Sequence, residues 1–437
     1  MMKTYDAVIE YLYARLPMFT RDGSSAFKKD LDNTIELCKA LDNPHQKFKS
    51  IHVAGTNGKG STSHMLASIF AAAGYKTGLY TSPHLLDFRE RIRVNGEMIG
   101  KERVISFVNA HYALIEAIQP SFFEVTVALA FDYFARENVD IAIVEVGLGG
   151  RLDSTNIIMP ELSVITNIGM DHMNMLGNTL AEIASEKAGI IKRHVPVIVS
   201  EYDNTVAFVF EERAEAMHTS VRFASNELTI VGVQRNGEYL RLRVKDNQVH
   251  DVNTWEVGLS GLYQQKNVLG VLTAVDAMRK KGWSITEVQL QEGLRTVHER
   301  TGLQGRWQTL GRDPWIICDT GHNEDGIREV VENLQQMSYK RLHFVVGAMR
   351  DKDLSHMLPR LPQHAMYYFS HPDMPRAMPA GELQAVAATH GLIGKAYSSV
   401  SEALAHAKSA FEPGDLIFVG GSNFVVAEVL RDLAGNT

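Results

Sequence analysis

Ser50-Ile51-His52-Val53-Ala54-Gly55-Thr56-Asn57-Gly58-Lys59-Gly60-Ser61-Thr62 runs a short apolar strand into a glycine-rich turn that carries a lysine and hydroxyl side chains. Glycines at 55, 58 and 60 let the backbone bend so that successive N–H groups face one point, and a helix beginning near Ser61 brings its positive end to the same place. Lys59 adds a mobile charge, and Ser61 can reach a Mg²⁺ ion carried by a polyphosphate. Gly60 stands between Lys59 and Ser61, so the stretch departs from the common G-x-x-x-x-G-K-[ST] loop. A glycine-rich surface turn is the plain alternative. The order strand, turn, helix favours a phosphate cradle.

The chain around this stretch has 437 residues, 45% hydrophobic and 22% charged, which is too much for one ordinary core, so two domains are expected. A net charge of -7 offers no basic face of the kind that displaces counterions from nucleic acid, and an anionic ligand has to be held by local groups. Cys38 and Cys318 both stand in apolar surroundings, which suits a reducing cytosol and argues against a disulfide. Tyr5, Val8, Ile9, Leu12 and Leu16 recur at helical spacing between charged residues, so the N-terminus reads as an amphipathic helix and not as a signal peptide. No apolar run reaches the length of a membrane span. A cytoplasmic protein with neither nucleic-acid nor membrane partners is expected.

Downstream of the cradle, Met65, Leu66, Ile69, Phe70 and Ala73 form a helical stripe closed by Gly74, and the strand from Tyr75 to Tyr80 delivers Thr81-Ser82-Pro83-His84. Helical stretches from Lys101 to Ile118 and from Phe122 to Arg136 lead to Asp140-Ile141-Ala142-Ile143-Val144-Glu145-Val146, a buried strand ending in an acid. The strand from Leu162 to Ile168 delivers Asp171 and His172, and Thr179 with Glu182 forms the capping box of a helix carrying Lys187. Such alternation predicts an α/β fold: a P-loop-containing, mostly parallel sheet with its site at the carboxyl edge. From Phe223 the pattern changes to short alternating runs joined through Asn236-Gly237, a hairpin, and a helix from Gln264 to Lys281 follows. Glycines between Thr301 and Arg306 break the pattern. Trp315 to Asp319 then opens a second series, with strands at Arg341 to Val346, Ala365 to Phe369 and Asp415 to Val419. The expected division is a cradle domain over residues 1–300 and a smaller Rossmann-like α/β domain over 301–437.

Ser82, Glu145 and His172 emerge from strand ends that should flank the cradle, and with Ser61 they make a hydroxyl, carboxylate and imidazole set suited to Mg²⁺ more than to structural zinc. Taken singly, each has a plain alternative: a turn before Pro83, a solvated strand end, a loop residue. Their joint placement carries the metal reading. Lys187, by composition alone, is a solvated helix lysine. In the second half Asp319-Thr320-Gly321-His322-Asn323 again follows a strand and precedes a helix, where the acid and imidazole could hold a ribose or orient a substrate amine. Asn323 could equally be a helix N-cap. Arg306 could reach a nucleotide from outside the first domain, and Gly420-Gly421-Ser422-Asn423 could cradle a carboxylate.

Gly55 to Ser61, Thr81-Ser82-Pro83-His84-Leu85, Glu145 to Asp153, Asp171-His172, Glu186-Lys187-Ala188-Gly189-Ile190, Gln264-Gln265-Lys266-Asn267 and Asp319 to Asn323 together resemble the folylpolyglutamate synthase/dihydrofolate synthase family of the Mur ligase superfamily. The resemblance spans almost the whole chain and includes the inserted Gly60. It implies ATP-dependent amide formation: a pteroate or folate carboxylate takes the γ-phosphoryl group, and the amine of L-glutamate attacks the acyl phosphate. It implies that Gly55, Thr56, Asn57, Gly58, Lys59, Gly60, Ser61 and Thr62 bind the ATP phosphates, and that Asn267, Arg306 and Asp319 contact the nucleotide. Ser61, Ser82 and Glu145 would serve one Mg²⁺; Glu145, His172 and Lys187 would hold a second, with Lys187 carbamylated. His322 would lie near the glutamate, completing a catalytic set with Lys59 and Lys187. Gly321 departs from the alanine common there.

By the same resemblance, the segment Pro83 to Gly96 looks like a mobile folate-contacting loop, and Met18 to Ser25 and Ser121 to Glu124 look like the bifunctional bacterial type. A monomer acting on dihydropteroate and reduced folates is the reading. Its rivals are a folylpolyglutamate synthase alone, a peptidoglycan Mur ligase, and a nucleotide-switched binding protein. Only 49 residues precede Ser50, too few for the UDP-sugar domain a peptidoglycan ligase needs.

Overall fold

The computed structural model describes residues 1–23, 30–350 and 354–435, so Ser24 and Ser25 of the segment Met18 to Ser25 lie outside the described residues. The first sheet contains β1 (Lys49–Ala54), β2 (Thr77–Tyr80), β3 (Ile92–Val94), β4 (Glu97–Met98), β5 (Ile141–Glu145), β6 (Leu162–Ile165), β7 (Val197–Val199) and β8 (Val221–Phe223). Their order is β4-β3-β2-β5-β1-β6-β7-β8. From β2 to β8 every neighbour is parallel, while β3 and β4 turn back antiparallel at one edge. β1 and β5 are buried at nearly every position, which is why they read as continuous apolar runs and not as alternating ones.

β1 lies between β5 and β6, but the chain leaves it for β2 on the far side of β5. That is a switch point, where a crevice opens beyond the carboxyl ends of the strands. The register brings those ends level: Val53 stands opposite both Glu145 and Val164. The cradle turn, the acid of β5 and the loop after β6 therefore emerge side by side.

Several elements differ from expectation for local reasons. The stretch from Lys101 to Ile118 is two helices, Lys101–Ala110 and Tyr112–Ile118, broken at His111, whose ψ of 13° leaves the helical range. The hairpin forms as β9 (Leu228–Asn236) and β10 (Tyr239–Asp246), with Gly237 at φ 63° in its turn. A third antiparallel strand, β11 (Val252–Val257), completes that small sheet.

The second sheet contains β12 (Gln308–Arg312), β13 (Trp315–Cys318), β14 (Leu342–Val346), β15 (Met366–Phe369), β16 (Gly394–Ala396) and β17 (Leu416–Gly420). Their order is β12-β13-β17-β14-β15-β16, parallel except for the edge strand β12. Trp307, Phe344, Phe369 and Phe418 fill its core.

The chain divides into two compact units: Met1–Gly258 with Gln264–Leu303, and Leu259–Tyr263 with Gln304–Thr437. Residues 259–263 lie within the span 1–300 expected for the first domain, yet cluster with the second unit. They belong to the second because the Leu262 amide donates to Asn333 Oδ1 at 2.8 Å and the Tyr263 hydroxyl to Asp319 Oδ2 at 2.6 Å. Among the described residues no helix is long and apolar enough to cross a membrane.

Candidate active site

The cradle is made by backbone conformation. Gly55 has φ 148°, and a Cβ there would lie 1.8 Å from Thr166 Oγ1, so only glycine lets the end of β1 pass the end of β6. Gly58, at φ 84°, caps the helix Lys59–Ala72, which thus begins two residues before the expected Ser61. Its first-turn amides, those of Gly60 and Ser61 among them, have no carbonyl one turn back and point toward the turn. The turn is pinned from β6: the Thr56 amide donates to the Asn167 carbonyl at 3.0 Å, the Asn57 amide to Asn167 Oδ1 at 2.8 Å, and Thr166 Oγ1 to the Asn57 carbonyl at 2.5 Å. Thr62 Oγ1 is buried with no hydrogen-bond partner in the structure.

Two ammonium groups converge on this turn. Lys59 Nζ donates to the carbonyls of Gly55 and Thr56, each at 3.0 Å, and Lys187 Nζ donates to the same Gly55 carbonyl at 3.0 Å. Lys187 is buried, and burial first, then the nearby charge of Lys59, pushes its pKa down from 10.5 to about 7 against the opposing pull of Asp171 and Glu186. Its helix, Leu180–Ala188, begins at the predicted capping box of Thr179 and Glu182. The loop after β5 lies on that helix: the Arg151 amide donates to the Glu186 carbonyl at 2.8 Å, and a Cβ at Gly150 would stand 2.7 Å from the same oxygen.

Glu145 is buried at the end of β5, and the Ser82 amide donates to its Oε2 at 3.2 Å. Ser61 Oγ accepts from Gln264 Nε2 at 3.0 Å, and Gln264 Oε1 accepts from Asn267 Nδ2 at 2.8 Å. His172 sits at φ 51° as the cap of the short helix Met173–Leu176, with Nε2 3.8 Å from Asp171 Oδ2. Among the described residues no three His, Cys, Asp or Glu side chains form a metal-binding group. One carboxylate with serine hydroxyls fits Mg²⁺, which keeps several waters and takes phosphate oxygens in place of an all-protein cage. The Thr62 hydroxyl, next to Ser61 in the first turn of the cradle helix, leaves a buried polar atom without a partner at the same helix end.

In the second unit, Asp319 is buried and fully engaged. Its Oδ2 accepts from Tyr263 and from the Trp307 amide at 2.8 Å, and its Oδ1 accepts from the Gly321 amide at 2.8 Å. Burial raises its pKa, opposed by those bonds and by Arg306. Thr320 ties the same loop to the Gly305 carbonyl, and His322 Nδ1 meets the Thr320 carbonyl at 3.0 Å. Asn323 is the N-cap of the helix Glu324–Gln335, its side chain accepting from the Gly326 amide at 2.8 Å.

Comparison with known proteins adds to this geometry. Residues 53–275 match the Mur ligase middle domain, and residues 305–423 match the Mur ligase glutamate ligase domain. A dihydrofolate synthase/folylpolyglutamate synthase of Bacillus subtilis is 32% identical over 99% of this chain and 100% of its own length. A Mycobacterium tuberculosis folylpolyglutamate synthase, solved with ADP and AMPPCP, superimposes with a TM-score of 0.87 at 27% identity, covering 99% of each chain. An Escherichia coli enzyme solved with DHPP and ADP gives 0.85 at 27% identity, covering 99% of this chain and 98% of its own. The chain belongs to the folylpolyglutamate synthase/dihydrofolate synthase family. It is therefore an ATP-dependent, amide-forming ligase.

The segment expected to be this family's mobile folate-contacting loop is a 3₁₀ turn, Phe88–Arg91, running into β3. Glu90 organises it, accepting from the amides of Leu85, Leu86 and Asp87 at 2.8–2.9 Å. Arg91 Nε donates to His84 Nδ1 at 2.7 Å, and Tyr13 Oη lies 3.2 Å from His84 Nε2. In the other segment assigned to the bifunctional type, Ser121 and Glu124 form the capping box of the helix Phe122–Glu137, and Phe122 is buried against Tyr13 and Phe88. Glu124 and the Phe122 ring are thus engaged inside the protein, and Arg21 and Asp22 are ion-paired with each other at 2.7 Å.

Sequence reasoning gave no role to Gln264, Thr166, Asn167 or Asp153. Asp153 accepts from the Leu148 amide at 2.9 Å and the Thr155 amide at 3.0 Å, and Thr155 Oγ1 lies 2.8 Å from the buried His52. These residues support the loops of this ligase through buried polar contacts that no local pattern announces.

Proposed function

We propose that this family member couples L-glutamate to dihydropteroate and to reduced folates at the expense of ATP, through an acyl phosphate, as a cytoplasmic monomer. The observation that carries the reading is the convergence of Lys59 and Lys187 on the Gly55 carbonyl, at a cradle whose neighbouring strand end presents Glu145 with Ser82. A free carboxylate is a poor electrophile, so the pteroate or folate carboxylate first takes the γ-phosphoryl group. The first-turn amides of the cradle helix and Lys59 hold the phosphates and meet the negative charge that develops on the transferred group. Bound through Ser61, Ser82 and Glu145, and at a second site through Glu145, His172 and Lys187, Mg²⁺ would neutralise charge on the phosphate oxygens. The amine of glutamate then attacks the acyl carbon and phosphate leaves, which needs no nucleophilic side chain.

Lys187 enters this reading as a carbamate. With its pKa near 7 the amine is substantially neutral at physiological pH, and a neutral amine adds CO₂ with loss of one proton. The product is an anionic oxygen donor where an ammonium would repel a cation. Asn267, Arg306 and Asp319 are the proposed nucleotide contacts, and His322 the group nearest the glutamate. Asp319 then has a structural role as well, given its three internal bonds.

The name of the Bacillus subtilis relative carries both activities, whereas a Lacticaseibacillus casei relative of equal identity is named for folylpolyglutamate synthase alone. Glutamate-dependent ADP release with each acceptor alone decides between them. Both dihydropteroate and tetrahydrofolate are expected to support it, and Glu145→Ala to abolish both together. Release with tetrahydrofolate only makes the enzyme single-activity, and ATP turnover indifferent to either acceptor makes it a nucleotide-switched protein.

A further inference from the structure

Gln264 and Asn267 stand one helical turn apart on the helix Gln264–Lys280, facing the cradle helix. Gln264 is fully buried, and its one amide is used at both ends: Nε2 donates to Ser61 Oγ at 3.0 Å while Oε1 accepts from Asn267 Nδ2 at 2.8 Å. Asn267 Oδ1 in turn fills the space beside Gly58, where a Cβ would approach it to 2.2 Å. The chain Ser61–Gln264–Asn267 thus spans the first turn of the cradle helix from its third residue to its cap.

The rest of the buried face of this helix is apolar, with Val268, Val271 and Val275 fully buried, except for Thr273, whose hydroxyl is satisfied within the helix by the Leu269 carbonyl. Two buried amides are a costly way to pack a helix unless both are satisfied and held for a purpose. An apolar residue at 264 would pack as well but would leave Ser61 and Asn267 to choose rotamers independently. With Gln264 in place, the direction in which the Ser61 hydroxyl presents its remaining lone pair and the orientation of the Asn267 amide are set together.

We propose that Gln264 is a positioning residue that couples Ser61, on the phosphate and metal side, to Asn267, on the nucleoside side, so that each is correctly oriented only while the other is. This inference rests on reading the cradle as the nucleotide site, and the test separates the two. Binding of ADP with Mg²⁺ is measured by titration calorimetry for the full chain and for S61A, N267A and the double variant, with thermal unfolding of each to report on folding. Each single substitution is expected to weaken binding about tenfold, and the double variant to bind roughly three- to tenfold more tightly than the product of the single losses requires. In a Q264M background the two losses are expected to multiply, because the link is gone.

A merely structural role for Gln264 moves the melting temperature but creates no such coupling. Losses that multiply in the native background overturn the proposal while the nucleotide site stands, and that arm does not depend on Q264M folding. Single variants that bind ADP as tightly as the native chain overturn the site assignment and the relay together.

Discussion

The turn after β1 and the turn after β13 occupy equivalent places, each leaving the carboxyl end of a buried parallel strand and entering a helix, yet they are built by opposite means. In the first, glycines at φ 148° and 84° shape the backbone, and the side chains that reach the turn, Lys59 and Lys187, come from helices beside it. In the second, one side chain does the shaping: Asp319 gathers Tyr263, Trp307 and Gly321 around a buried carboxylate. A site made by conformation tolerates loss of a long charged side chain but not a Cβ at its glycines. A site made by a hub fails structurally when the hub is removed.

The contrast can be broken most sharply at Lys59. Lys59→Ala is expected to reduce kcat by about a thousandfold, because its charge matters most as the phosphoryl group transfers. The melting temperature should move by no more than about 2 °C, since the side chain donates to two carbonyls of its own turn and fills no part of the apolar core. Steady-state turnover beside thermal unfolding checks both halves, and a variant that keeps its turnover removes the cradle from the mechanism.

Asp319→Ala should behave the other way. Its removal strands the Tyr263 hydroxyl and the amides of Trp307 and Gly321 in the protein interior, a loss of about 3 kcal/mol. Denaturant unfolding should show that loss in the second unit, with Asp319→Asn recovering part of it. A variant that is inactive but fully stable would mean that the carboxylate serves the nucleotide alone and that the two turns do not differ in kind.

What made the first turn legible was that conformation leaves marks in composition. Glycine at 55, 58 and 60 beside an apolar run, the acid ending the run at Glu145 and the capping box at Thr179 and Glu182 all follow from local rules. The antiparallel return of β3 and β4 was hidden, because strands of three and two residues look like loop until the pairing of β3 back onto β2, and of β4 onto β3, is known. The placement of residues 259–263 in the second unit was hidden for the same reason: Tyr263 and Asp319 are 56 positions apart. Gln264 stood within a recognised motif, yet its role depends on a contact with Ser61 across 203 positions. Long-range polar contacts between ordinary residues have no period and no composition.

Lys187 extends the comparison to pH, with a smaller effect. In the folded protein its pKa is held down to about 7, against 10.5 for the ordinary side chain, because it is buried beside Lys59. Between those values the unfolded chain binds one proton more than the folded one. Stability therefore rises with pH across that window, by at most about 1.4 kcal/mol per pH unit. Lys192, lowered to about 8 mainly by burial, acts in the same direction but begins to contribute only near that higher value. Across pH 7 to 8 Lys187 consequently contributes the larger share, roughly 1 kcal/mol against a few tenths for Lys192. In CO₂-free buffer without nucleotide, the native chain should gain stability across this interval and Lys187→Met should gain much less, keeping only the part due to Lys192. Added bicarbonate should stabilise the native chain further, because carbamate formation draws on the neutral amine, and should leave the variant unchanged. A native chain whose stability is flat from pH 7 to 8 would show that the amine keeps its proton there, and the carbamate would then have no neutral precursor at the pH where the enzyme works.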